Sequence, residues 1–254
     1  MRLKLISCEV LARQVYYVAA FSPHVIDIEL VGKGLHTEPD TLRAELQRCI
    51  EATPAAKYDA ILLGYGLCSN SIVGLVSPSL PMVTPRAHDC ITLYLGSRER
   101  YGQEFRQTPG TYWYAPDYIE RGTDDGKYVS LGSANEEDMA KVYAEYVAKY
   151  GQDNADYLME VMGAWKQHYT RAAYIENQDI TLPDYTGDVR ELAERRGWEF
   201  ERLPGNLLIL RDLLEGRWDA ERFLSVPPGR TIVPTYDERI ITDAAPEQAS
   251  MPNR

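Results

Sequence analysis

Short apolar runs alternate with segments of helical periodicity along the first third of the chain. A strand is predicted where about 4–8 residues are apolar or alternate with polar ones, and a helix where apolar residues recur every three or four positions. The predicted strands are Leu3–Ile6, His24–Leu30, Ala60–Leu63 and Met82–Thr84. Strands and helices that alternate at this spacing indicate a parallel sheet with right-handed helical crossovers. With short connections, the predicted order of these strands is 2-1-3-4.

Helical segments fill the gaps between these strands. One is predicted over Glu9–Ala20, and another begins at Cys90 with Asp89 as its favoured N-terminal cap. Thr41 is predicted to cap a third helix, in which the apolar residues lie on one face because of their i, i+4, i+7 and i+8 spacing. Those residues are Leu42, Leu46, Cys49 and Ile50. This pattern places Cys49 in the core.

The last third of the chain repeats the alternation. Its predicted strands are Ala172–Glu176, Trp198–Leu203 and Arg222–Val226, and its predicted helices are Gly187–Arg196 and Asn206–Glu215. We therefore expect an α/β protein with a parallel, Rossmann-like sheet and two α/β lobes joined by a long helical region. The expected bounds are 1–130 for the N-terminal lobe, 131–170 for the helical bridge, 171–243 for the C-terminal lobe and 244–254 for a flexible tail.

Charge and composition narrow the function classes. The chain has 254 residues and a formal net charge of −11, which argues against general binding to nucleic acid or to an anionic membrane surface. No apolar run reaches the length of about 20 residues that a membrane span needs. We expect a cytoplasmic protein with four reduced cysteines and a small-molecule substrate or protein partners, and the oligomeric state stays open.

Three cysteines follow predicted strands, namely Cys8, Cys68 and Cys90. The carboxyl ends of neighbouring parallel strands open into one crevice, so these thiols are expected to converge there. Three thiolates suit a tetrahedral zinc ion with one open position. They equally suit a [4Fe–4S] cluster with one iron left open to substrate, and the sequence spacing does not separate the two. The third alternative is that each cysteine is a small buried hydrophobe.

Several polar and aromatic residues lie close to these cysteines in the sequence. His88 and Glu9 are the candidate catalytic residues, because each is next to or near a cysteine and can transfer a proton. His88 could instead be a ligand or a residue that satisfies loop backbone groups, and the structural alternative for Glu9 is capping in the first turn of a helix. The candidate substrate-binding residues are Tyr65, Arg86, Asn70 and Trp113. An aromatic wall around Trp113 would suit a methylated ammonium ligand, although ordinary packing explains aromatic residues as well.

Four segments carry a resemblance to a known family. They are Ser7–Leu11, Asp59–Asn70, Pro85–Ile91 and Pro109–Tyr114, and they resemble the bacterial and archaeal family called domain of unknown function 1638. The resemblance runs from near the N-terminus to about Pro228. It marks the cysteines at 8, 68 and 90 as motif positions and leaves Cys49 out.

The resemblance also implies a setting for the function. Members of this family are associated with methylamine metabolism and with other corrinoid-dependent methyl transfer. We expect a metal-dependent enzyme that acts on a small polar substrate in that setting, by methyl transfer to a thiol, by hydrolysis or by open-site iron–sulfur chemistry. The alternative is a non-catalytic metal, iron–sulfur or corrinoid accessory protein that serves methyltransferases. Corrinoid or methyltransferase proteins are the partners that the resemblance implies.

Overall fold

The computed structural model describes residues 1–37, 39–121, 147, 152, 169–235 and 237–245. Internal contacts divide the chain into two compact units. The first unit comprises Met1–Tyr101, Asn177–Thr181 and Pro204–Arg254, and the second comprises Gly102–Glu176 and Leu182–Leu203. The predicted helical bridge and the predicted tail lie largely outside the residues that the structure describes.

A five-stranded sheet forms the centre of the first unit. Its strands are β1 (Arg2–Cys8), β2 (Val25–Val31), β3 (Ala60–Gly64), β4 (Met82–Pro85) and β8 (Phe223–Val226). They lie in the order β2-β1-β3-β4-β8. The pairs β1–β2, β1–β3 and β3–β4 are parallel. The predicted order of the first four strands and the predicted parallel pairing are thus confirmed.

The fifth strand, β8, differs from the prediction. The sequence pattern assigned Arg222–Val226 to a separate C-terminal lobe, whereas β8 pairs with β4 in the first sheet and is antiparallel to it. Leu224 pairs with Thr84 and Val226 pairs with Met82, so β8 covers the edge of the sheet that β4 would otherwise expose. Local periodicity predicts that a strand exists, but it carries no information about the sheet that the strand joins.

Helices connect and cover the strands of the first unit. They are a 3-10 helix at Glu9–Leu11, α1 (Ala12–Phe21), a 3-10 helix at Lys33–Thr37, α2 (Pro39–Glu51), α3 (Cys90–Leu95) and α7 (Leu208–Leu214). The predicted apolar face of α2 is confirmed, because Leu42, Leu46, Cys49 and Ile50 are its buried residues. The predicted cap at Thr41 is wrong. The helix begins at Pro39, since proline fits the first helical position, and Thr41 lies inside the first turn.

The C-terminal part of the first unit adds a two-stranded antiparallel sheet. It consists of β9 (Thr231–Pro234) and β10 (Ile241–Ala244). Ile240, just before β10, is buried and has a φ of 65°. A β-branched residue in this left-handed region is uncommon, so the turn has to be held by its surroundings.

The second unit contains a three-stranded sheet. Its strands β5 (Thr111–Tyr114), β6 (Arg171–Glu176) and β7 (Glu199–Pro204) lie in the order β5-β6-β7, and β5 is parallel to β6. Two helices, α5 (Pro116–Glu120) and α6 (Thr186–Arg196), belong to it, and α4 (Arg98–Gln107) runs along the chain from the first unit into the second. The buried core residues of this unit are Tyr114, Ala172, Tyr174, Val189 and Ala193. In the part of the chain that the structure describes, no helix is long and apolar enough to cross a membrane.

Candidate functional site

The carboxyl ends of β1, β3 and β4 carry the three cysteines that the sequence singled out. Cys8 is the last residue of β1, and Cys68 follows the end of β3 by four positions. Cys90 is the first residue of α3 and follows the end of β4 by five positions. Cys8 and Cys90 are buried, and Cys68 is partly exposed. Because these strands are parallel neighbours, the three thiols lie at the same edge of the sheet, the one formed by the carboxyl ends of the strands. We call Cys8, Cys68 and Cys90 the cysteine cluster.

The loop that carries Cys68 lies directly against the loop that leads to Cys90. The backbone N–H of Leu67 donates to the carbonyl of Ala87 at 2.8 Å, and the N–H of Cys68 donates to the carbonyl of His88 at 2.9 Å. A side chain at Gly66 would place its Cβ 2.7 Å from the backbone nitrogen of Asp89. Glycine is therefore the residue that permits this close approach of the two loops.

An unusual backbone turn holds Cys68. The φ angles of Cys68, Ser69 and Asn70 are 44°, 56° and 66°, so three successive non-glycine residues adopt the left-handed conformation. This conformation costs about 1–2 kcal/mol for an ordinary L-residue, and asparagine tolerates it best. The N–H of Ser71 closes the turn by donating to the carbonyl of Leu67 at 3.0 Å. Such strain persists where surrounding contacts enforce it, and it is concentrated at functional sites.

Burial determines the protonation of the two thiols in these loops. It raises the pKa of Cys68, and negative charge on Asp89 and Cys8 raises it further. The N–H groups of Gly66 and Cys90 donate to the Cys68 sulfur and act in the opposite direction. Burial also raises the pKa of Cys90 well above its usual value, and negative charge on Cys68, Asp89 and Cys8 raises it further. Both thiols are therefore protonated at neutral pH, and a ligand that binds them as thiolates has to displace their protons.

The donor set has the right chemistry for a soft metal ion, since sulfur is a preferred ligand of zinc and of iron–sulfur clusters. Within residues 1–37, 39–121, 169–235 and 237–245, however, no three His, Cys, Asp or Glu side chains are already arranged as a set that could hold a metal ion. The three thiols are near enough for the charge of one to affect another, but they do not form a finished ligand set. Metal binding at the cysteine cluster stays a prediction.

Asp89 caps the helix that begins at Cys90, as the sequence predicted. Its Oδ1 atom accepts hydrogen bonds from the N–H groups of Ile91 at 3.0 Å and Thr92 at 3.4 Å. Its Oδ2 atom accepts one from the hydroxyl of Tyr101 at 3.0 Å. Burial raises the pKa of Asp89 in spite of these hydrogen bonds, which favour the charged form. The cap thus places a carboxyl group beside Cys90 and near Cys68.

Glu9 and Lys33 lie beside Cys8. A carboxylate oxygen of Glu9 accepts a hydrogen bond from the backbone N–H of Lys33 at 2.8 Å, so Glu9 helps to fix the segment that follows β2. Burial lowers the pKa of the Lys33 ammonium group, while the charges of Glu9 and Cys8 act against this shift. Lys33 was not among the residues that the sequence patterns singled out. The available signal was its position two residues after β2, which also ends at this edge of the sheet.

The other sequence candidates near the cluster have different environments. The side chain of His88 is exposed, and the side chain of Tyr65 is buried in the core with 1% of its surface exposed. Burial strongly raises the pKa of Tyr65, and the charges of Cys8 and Cys68 add to that rise. Asn70 is exposed and contributes its carbonyl oxygen to a hydrogen bond from Arg43 at 2.9 Å. The structure therefore places His88 and Asn70 at the surface and Tyr65 in the interior.

Arg86 is used by the fold. Its Nε atom donates to the carbonyl of Ala220 at 2.9 Å, and its Nη1 atom donates to the carbonyls of Arg239, at 3.0 Å, and Ile241. The last two carbonyls flank Ile240, the buried residue with the left-handed backbone. The guanidinium group thus holds the β9–β10 turn. Its hydrogen bonds suggest a structural role for Arg86 and do not point to the substrate contact that the sequence predicted.

Trp113 lies in the second unit. It belongs to β5, is 5% exposed and packs under the guanidinium group of Arg171, whose Cζ atom is 5.7 Å from the ring centre. The neighbouring Tyr112 packs against Tyr169 and Trp198, with ring centres 4.7 and 5.3 Å apart. Tyr112 and Trp113 therefore belong to the sheet of the second unit, whereas Tyr65 and the cysteine cluster belong to the first unit.

Comparison with known proteins gives one match. A search of curated proteins and a search of solved structures each found no match to the chain. A family model described as "Protein of unknown function (DUF1638)" matches residues 30–214, a range that includes Cys68 and Cys90 but begins after Cys8. This range covers more than two thirds of the chain, and the chain therefore belongs to the DUF1638 family.

Proposed function

We propose that the protein is an enzyme that holds a metal ion, zinc in the first instance, with Cys8, Cys68 and Cys90. Its substrate is a small polar molecule of methylated-amine or corrinoid-linked one-carbon metabolism. One observation carries the proposal: three thiols from three adjacent strand ends lie at one edge of the sheet, and one of them sits in a strained turn. We further propose that the first sheet is Rossmann-like and that the protein has two α/β lobes.

Charge around the cluster supports the proposal. Three thiolates and one Zn²⁺ ion together carry one negative charge, and Lys33 supplies a positive charge near Cys8. The N–H groups that donate to the Cys68 sulfur also favour its thiolate form. Since the thiols are not arranged as a ligand set among the described residues, metal binding requires their rearrangement and the release of their protons.

Named residues have separate tasks in this proposal. Cys8, Cys68 and Cys90 would hold the zinc ion, which would supply Lewis-acid activation of a thiol or a water molecule. Asp89 can hold or accept a proton beside Cys90, since its pKa is raised by burial. His88 is exposed at the same loop and is the candidate general acid or base. Glu9 fixes the Lys33 segment through its hydrogen bond.

An accessory protein that delivers a metal or a corrinoid to methyltransferases is the second candidate. It is favoured by the partial exposure of Cys68 and the exposure of His88, because a partner could reach the cluster from the surface. A [4Fe–4S] cluster is the alternative cofactor, since three thiolates leave one iron open. His88→Ala should abolish turnover with metal retained in an enzyme, whereas in an accessory protein it should alter transfer to a partner.

Metal and sulfide measurements on the purified protein test the proposal. The protein is purified without oxygen, and wild type is compared with Cys8→Ser, Cys68→Ser and Cys90→Ser. Cys49→Ser is the matched control, because Cys49, in α2, is also buried but donates its thiol hydrogen to Glu29 of β2 at 3.1 Å. We expect near-stoichiometric zinc in wild type and in the control, and loss of zinc in each of the other three variants.

The other outcomes of the metal and sulfide measurements are equally informative. If the protein contains iron and acid-labile sulfide, the cofactor is an open-site iron–sulfur cluster and not zinc. The search for a reaction would then turn to redox or dehydratase chemistry. Wild-type protein that contains no metal, and that binds neither added zinc nor a reconstituted cluster, would contradict the proposed function.

A further inference from the structure

One face of α2 is attached to the segment that follows Cys68. Arg43 and Gln47 are one helical turn apart and so project from the same face. Arg43 donates from Nη2 to the carbonyl of Asn70 at 2.9 Å. Gln47 bonds both backbone groups of Val76, donating to its carbonyl at 2.9 Å and accepting from its N–H at 3.0 Å. The segment between Asn70 and Val76 is thus fixed at both ends.

The point that Arg43 contacts is the end of the left-handed turn. Asn70 is the last of the three residues with positive φ, and its carbonyl would move if the turn relaxed to a right-handed conformation. The guanidinium group is itself oriented, because its Nη1 atom donates to Asp40 at 2.8 Å. A planar donor that engages two acceptors at once gives a fixed geometry that a single lysine ammonium group does not reproduce.

We infer that Arg43 and Gln47 are positioning residues, which hold Cys68 in its strained turn and thereby place its sulfur beside the backbone of Cys90. This inference rests on the proposed function in so far as it concerns the cysteine cluster. It adds that α2, which contributes no residue to the cluster, determines where one of the three thiols lies. Without the hydrogen bonds of Arg43 and Gln47 to this segment, the turn opens more often and the Cys68 thiol becomes more accessible to solvent.

Alkylation of the individual cysteines tests the inference in the metal-free protein. Wild type and Arg43→Ala are treated with iodoacetamide, and the rate at each cysteine is followed by peptide mass spectrometry. We expect the rate at Cys68 to rise about tenfold in Arg43→Ala, which corresponds to the loss of one hydrogen bond from a charged donor. The rate at Cys49, on the core side of the same helix, should stay unchanged.

Two further variants make the test specific. Arg48→Ala is the matched control, because Arg48 also forms an i, i+3 pair on α2, with Glu45 at 2.6 Å, but has no contact with the turn among the described residues. It should leave the rate at Cys68 unchanged. Arg43→Lys should give an intermediate rate. Three results would overturn the inference. They are an unchanged rate at Cys68 in Arg43→Ala, an equal rise at Cys68 in Arg48→Ala, and an equal rise at Cys49 in Arg43→Ala.

Metal binding separates this inference from the proposed function. If wild type binds zinc, Arg43→Ala should bind it more weakly than Arg48→Ala does, as measured by competition with a chromophoric chelator. If wild type binds no metal, the proposed function fails, while the alkylation rates still decide whether Arg43 positions Cys68.

Discussion

Two glycines near the cysteine cluster are required by the close approach of backbone segments. Gly66 lies where a Cβ atom would overlap the backbone of Asp89, and Gly64 lies where it would overlap the side chain of Ser7 at 2.3 Å. Gly64 thus allows the end of β3 to lie against β1, and Gly66 allows the loop after β3 to lie against the loop before α3. The glycines of the Gly64-Tyr65-Gly66 motif therefore allow neighbouring backbone segments to pack closely.

Gly66→Ala should lower the free energy of unfolding by about 1–3 kcal/mol, because the new Cβ has to displace backbone atoms. Urea unfolding followed by circular dichroism measures this change. Gly187→Ala is the matched control: no atom lies within 4 Å of a Cβ at this position in α6, and alanine favours a helix. Equal stability of Gly66→Ala and wild type would show that the two loops can separate at no cost.

At the scale of elements, the β9–β10 sheet depends on a residue from another strand end. Arg86 follows β4, and its guanidinium group binds the carbonyls on both sides of Ile240. Ile240 is buried and strained, so its backbone conformation needs this support. The hydrogen bonds connect the end of a central strand to a hairpin more than 140 residues later in the chain.

Arg86→Ala should release the turn and increase amide hydrogen exchange in β10, with a loss of stability of about 1.5–3 kcal/mol for hydrogen bonds from a charged donor. Hydrogen exchange read by mass spectrometry measures the effect. Arg239→Ala is the control, because Arg239 forms an exposed pair with Asp237 in the same turn and should matter little. Faster exchange in both variants would mean that the turn itself, and not Arg86, holds β10.

For the whole molecule, the division into two units does not follow the order of the chain. The second unit is built from Gly102–Glu176 and Leu182–Leu203, and the chain then returns to add α7, β8, β9 and β10 to the first unit. The family match at residues 30–214 includes parts of both units. A truncation at the end of the second unit would therefore remove a strand of the first sheet.

The stability of the whole protein should fall at alkaline pH. Cys49 is a clear case: burial, followed by its hydrogen bond to Glu29, raises the pKa of the thiol from 9.0 to about 12. Between these two values the unfolded chain has lost the proton and the folded protein has kept it, so unfolding becomes more favourable as the pH rises. The limiting slope for one such group is about 1.4 kcal/mol per pH unit.

Cys49→Ser should reduce this decline, because a serine hydroxyl can keep a hydrogen bond to Glu29 but does not titrate in this range. Urea unfolding of wild type and Cys49→Ser at several pH values from 9 upward compares the slopes. Thr53→Ser, a conservative change at a neighbouring position of the chain that does not titrate, serves as the control. Identical slopes for wild type and Cys49→Ser would contradict the raised pKa.

Much of the first unit follows from local sequence. The elements from β1 to β4, the buried face of α2 with Cys49 and the cap at Asp89 were all predicted, because periodicity and capping depend on residues close together in the chain. The order of the four strands was also predictable, since short connections leave few arrangements of a parallel sheet. The placement of the three cysteines at one edge follows from that order.

The rest was decided by contacts between residues far apart in the chain. Only the tertiary structure shows that β8 joins the first sheet, that Arg86 supports the β9–β10 turn and that Lys33 lies beside Cys8. It also shows that Arg43 holds the turn after Cys68. Sequence patterns report the local preference of a segment, whereas pairing, burial and hydrogen bonding between distant segments depend on the complete packing of the fold.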